Sequence, residues 1–165
     1  MGDVIQTAKV EIERLEEDLL YTEKAHFAAT SSLHRIHTYL GVFATSSAAA
    51  SVATIVAEST AWVPGILALG ASVSSAVMTF VKPDERASQH LQAGRALGVL
   101  RVRMRQFRTI DLAAGLTPVE VRNAVTSLAE EKANIDAGAP ALSERAFKGG
   151  KRAIEEGRFH HAVDR

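Results

Sequence analysis

The hydrophobic positions follow a helical period over the first 37 residues and then lose it. Apolar or small side chains stand at Ile5, Ala8, Ile12, Leu15, Leu19, Ala29, Leu33 and Ile36, with Thr22 and His26 filling the same three-to-four spacing. This predicts one long amphipathic helix over residues 3–37, flanked by charge at Lys9, Glu11, Glu16, Asp18 and Glu23. The repeat is sustained enough for a coiled-coil seam between subunits, carried by Ile5, Ile12, Leu15 and Leu19, or for the buried face of a bundle within the chain.

From Thr38 to Val81 the only charged residue is Glu58. A membrane-spanning helix needs about 20 largely apolar residues. Tyr39–Ala57 and Pro64–Val81 each come close to that length without a formal charge. Between them "ESTAWVPG" carries turn chemistry: Pro64 suits the first turn of a new helix and Trp62 suits an interface. The two stretches differ in strength. The first has Leu40, Val42, Phe43, Val52, Ile55 and Val56 as its strongly apolar residues, diluted by hydroxyls, so its insertion alone is marginal. The second has Ile66, Leu67, Leu69, Val73, Val77, Met78, Phe80 and Val81. Glu58 at the tip of such a hairpin reaches water, whereas burial unpaired would cost several kcal/mol.

Beyond the block, Pro83 opens a helix with Asp84 and Glu85 in its first turn. Gly115 ends it. Thr117, Pro118 and Glu120 form an N-cap, a first-turn proline and a capping-box acid for a helix running to about Asp136. A last helix starts near Ser143 and ends near Gly157. The pattern predicts an all-α fold: a two-helix transmembrane hairpin, a long N-terminal helix and a C-terminal cytoplasmic helical bundle. Its segments are 1–37, 38–81 and 82–165.

Charge adds a polarity that the composition hides. The 19 Lys and Arg balance 19 Asp and Glu overall. Yet residues 1–37 carry seven acids and four bases, and residues 82–110 carry seven bases and two acids. Lys24 and Arg35 precede the apolar block, Lys82, Arg86 and Arg95 follow it, and the loop between the spans has no base. The positive-inside rule then places both termini in the cytoplasm. The charged start is unlike a secretory signal. Arg101, Arg105 and Arg108 share a helix face, fit for lipid headgroups, a phosphate ligand, or the acidic residues of the first helix. DNA and RNA are not expected partners.

Candidate chemistry is sparse. There is no cysteine, no phosphate-binding glycine loop, no HExxH and no G-x-S-x-G. His34 and His37 lie one turn apart, as metal ligands or as interfacial packing; His160 and His161 lie near the C-terminus. No catalytic set converges, no cofactor is expected, and the chain reads as not an enzyme. Small residues recur every four positions in the apolar block: Ala49, Ala53 and Ala57, Ser47 and Ser51, Gly70 and Ser74, Ala71 and Ser75. Such spacing lets helices approach closely in lipid. Ser46, Ser47, Ser51, Thr54, Glu58, Ser72, Ser74 and Ser75 are therefore candidates either to line a wet path or to pack one hairpin.

The order of "KAHFAATSSLHRIHTYLG", a two-span hairpin, "TFVKPDERASQHLQAGRALGVLRVRM" and "AFKGGKRAIEEGRFHHAVD" resembles the SLATT family, the SMODS- and SLOG-associating two-transmembrane effector domains. The resemblance covers nearly the whole chain as one domain. It implies a homo-oligomeric, pore-forming effector of the bacterial inner membrane, acting in nucleotide-linked antiviral defence by abortive infection. It implies an anionic lipid membrane, and a nucleotide second messenger or a sensor protein, as partners. No fused sensor or nucleotidyltransferase domain is expected, so the trigger is expected from a partner, a ligand or the membrane. A non-conducting membrane anchor or adaptor, and a soluble helical oligomerisation module, are the competing expectations.

Overall fold

The computed structural model describes residues 2–60 and 62–157. Among these the regular structure is helical, with no strand: α1 (Gly2–Val56), α2 (Trp62–Val81), α3 (Pro83–Gln106), α4 (Pro118–Gly138) and α5 (Glu144–Glu155). His160 and His161 lie outside the described residues.

The helix expected over 3–37 and the first apolar stretch are one element. No proline occurs before Pro64, and Gly41 is the only glycine between Gly2 and Gly65, so nothing interrupts the backbone ladder at 37/38. α1 stops instead at Val56, just before Glu58, which takes the left-handed conformation with φ 53°. The Glu58 N–H donates to the Ile55 carbonyl and the Ser59 N–H to the Thr54 carbonyl, both at 3.1 Å. This is the Schellman pattern, with a glutamate where glycine is usual. Lys82 makes the next corner at φ 48°, its N–H donating to the Met78 carbonyl, and Pro83 then starts α3. A π-helical turn (Phe107–Asp111) and a 3₁₀ turn (Leu112–Ala114) lead to Gly115, whose φ of 86° closes that segment.

Thr117 caps α4 as the capping box requires. Its hydroxyl accepts from the Glu120 N–H at 3.4 Å, and its own N–H donates to Glu120 Oε2 at 2.8 Å. The bonds from the Thr117 side chain and backbone pull the Glu120 carboxyl below its ordinary range. Thr117→Ala should lower the unfolding free energy by about 1 kcal/mol, read from chemical denaturation; an unshifted midpoint would show that the box does not hold α4.

The chain forms two compact units. One joins the chain up to Ala29 with the chain from Gln89 onward, and the other is Thr30–Ser88. The apolar block expected over 38–81 lies inside the second.

The first unit holds the apolar core. Ala8, Ile12 and Leu19 of α1 pack with Leu97, Leu100 and Met104 of α3, with Phe107, and with Val121 and Leu128 of α4; Leu15 joins from its margin. Of the expected intersubunit seam, Ile12 and Leu19 are fully buried within the chain and Leu15 packs half-buried against that core, while Ile5 is half-buried. The acidic α1 meets the basic α3 and the π-helical turn after it through ion pairs. Arg108 binds Glu16 at 2.9 Å, and Arg101 Nε donates to Glu23 Oε2 at 2.9 Å.

Candidate functional site: polar contacts within an apolar helix pair

The Thr30–Ser88 unit reverses the usual arrangement of a water-soluble fold. Its outside carries Val56, Ile66, Leu69, Val73 and Phe80, the last 84% exposed, while Ser47, Ser51 and Ser74 are buried. In water this continuous apolar exterior would be unfavourable. The helices α1 and α2 touch through polar and small groups. Ser51 Oγ donates to the Pro64 carbonyl at 2.9 Å; Gly70 lies against the Phe43 ring and Gly41 near Met78. Closer to the ends of the unit, Thr30 Oγ1 donates to the Ala87 carbonyl at 3.3 Å.

The sequence-predicted polar residues of the block therefore separate into two groups. Ser47, Ser51 and Ser74 are turned into the contact of the two helices. Thr54 is half-buried and its hydroxyl donates to the Ser51 carbonyl. Ser46, Ser72 and Ser75 are exposed among apolar neighbours, and the Ser72 hydroxyl donates to the Ala68 carbonyl of its own helix, which lowers the cost of placing a hydroxyl in an apolar medium. Glu58 is exposed in the turn between α1 and α2.

Of the three arginines, Arg101 and Arg108 are engaged by acidic residues of α1, and Arg105 is exposed. The Glu16 hydrogen bond raises the affinity of Arg108 for its proton, against an opposing effect of burial. His34 Nδ1 stands 3.7 Å from Asp84, and His37 Nδ1 is buried without a hydrogen-bond partner. Among the described residues no three His, Asp or Glu are grouped to hold a metal.

Sequence reasoning missed a second polar cluster, in the first unit. Glu23, Lys24, His26 and His90 are all buried. The Glu23 carboxylate receives Lys24 Nζ at 2.6 Å and Arg101 Nε at 2.9 Å, and the two histidines meet through Nδ1 at 2.9 Å. The available signal was the pair Gly94 and Gly98. Their missing side chains admit Phe27 and His26 in one case and Glu23 in the other. Comparison with family models, curated proteins and solved structures finds no match to the chain.

Proposed function

We propose that this chain is a membrane effector whose α1 and α2 cross the bilayer as a hairpin, with both termini cytoplasmic, and whose oligomers open or perturb the membrane. The observation that carries the membrane part is the apolar exterior of α1 and α2 around buried serines. Two helices are long and apolar enough to cross a membrane, and only 11% and 6% of their apolar windows are buried, unlike the core helices of a water-soluble bundle. The effector role, the nucleotide-linked trigger and the bacterial inner membrane rest on the resemblance to the SLATT family. With Ile12 and Leu19 occupied inside the chain, subunit contacts fall to exposed surface, including the faces bearing Ser46, Ser72 and Ser75.

The inward turn of Ser47, Ser51 and Ser74 favours a second reading, a non-conducting anchor, because those hydroxyls are spent on packing one helix pair. Alkaline carbonate washing of membranes from expressing bacteria should leave the chain in the pellet. Release into the supernatant would remove the integral-membrane reading. Dye leakage from liposomes carrying the purified chain then separates pore from anchor.

A further inference from the structure

The contact of α1 with α3 in the first unit changes character along its length. It is apolar around Ile12 and Leu19 and polar around Glu23 and His26. At the polar end the His26 and His90 rings lie 5.1 Å apart, tilted by 46°, with Nδ1 facing Nδ1 at 2.9 Å. Two ring nitrogens share a hydrogen bond only when one carries the proton and the other a lone pair. The neutral pair therefore holds two different tautomers. One added proton on an Nε2 leaves the Nδ1–H···Nδ1 bond intact. A second puts hydrogen on both Nδ1 atoms, which abolishes the bond and sets two like charges face to face in a buried place.

Among the described residues, the carboxylates near the pair are engaged by other partners. On α1, Glu23 is already bound by Lys24 and by Arg101 of α3. On α4, Asp136 favours the charged form of His26, but it is paired with Lys132 and is the weakest influence on that ring, after burial and His90. α5 meets this part of α1 through Gly149 at Ala28 and Gly150 at the Lys24–Ala25 backbone. Burial likewise disfavours the charged form of His90.

We propose that His26 and His90 form a proton-operated clasp between α1 and α3, closed while the pair carries at most one extra proton and opened by the second. His26 lies four residues before Thr30, and His90 directly follows Gln89, so both partners of the clasp belong to the first unit, near the points along the chain where that unit breaks off and resumes. Both rings have lowered proton affinity in the folded chain. Their stabilising effect is therefore full above the ordinary value of 6.5 and is lost as pH falls below it toward the folded values. The inference stands on the first unit and does not require the membrane reading.

The test is hydrogen exchange of the full chain in detergent, corrected for intrinsic exchange, between about pH 7.5 and about pH 5. Peptides covering Leu19–Thr30 and Ala87–Leu97 should lose protection at least about tenfold, and a chain with His26→Leu and His90→Leu should keep it. Equal loss in both chains, or none in the wild type, would overturn the clasp. Should the double variant fail to fold, ring-nitrogen NMR of the wild type decides. Unlike tautomers of His26 and His90 near pH 7.5 are expected, with assignments from His26→Gln and His90→Gln chains; two like tautomers would overturn the proposal.

Discussion

Gly150→Ala should release α5 from α1 while leaving α5 helical. A Cβ built at Gly150 would stand 2.6 Å from the Ala25 nitrogen, 2.7 Å from the Lys24 carbonyl carbon and 2.9 Å from Ala25 Cα. All three are backbone atoms, so no side-chain rotation relieves the clash. Overpacking of this kind costs about 1–3 kcal/mol, comparable with what one short helix gains from docking. Alanine is meanwhile the better helix former by about 1 kcal/mol, which separates loss of docking from loss of helix. The neighbouring Gly149 supplies the control: its Cβ would meet only Ala28 Cβ, at 3.3 Å. Limited proteolysis should cut the Gly150→Ala chain in the linker around Pro140 much faster than wild type, with far-UV circular dichroism little changed, and Gly149→Ala should behave close to wild type. Equal protection of the two variants would mean that α5 does not seat through Gly150.

Element identity was legible wherever local chemistry decides it. The Thr117, Pro118 and Glu120 combination marked the start of α4, and Ser143 the start of α5. The all-helical class followed from the three-to-four spacing. What local chemistry could not show was continuity: the change from amphipathic to apolar near Thr38 alters the surroundings of α1, not its backbone. Partners across the fold were also illegible. A seven-residue repeat is the same whether Ile12 and Leu19 face another subunit or face Leu97 and Leu100. The arginine face of α3 suited lipid, phosphate or carboxylate equally until Glu16 and Glu23 stood beside it. The His26–His90 pair joins positions 64 apart, and neither residue carries a motif.

Val73→Arg should convert the chain from membrane-retained to carbonate-extractable. Val73 is 56% exposed, beside the buried Ser74, on the outer side of α2. On a surface facing water such a change shifts stability by no more than about 0.5 kcal/mol. Near the centre of a bilayer an arginine costs about 2.5–3.5 kcal/mol on the insertion scale. The first span has little reserve to absorb that, because hydroxyls dilute its few strongly apolar residues. Val99→Arg is the matched control, since Val99 is similarly exposed, at 62%, on α3 in the other unit and is predicted to lie outside the hydrocarbon. Retention of both variants would mean that the outer face of α2 meets water or protein rather than lipid, and the hairpin would then have to be reread as part of an assembly. Loss of Val73→Arg alone, with Val99→Arg retained, would assign that face to lipid and leave the buried serines to the helix contact.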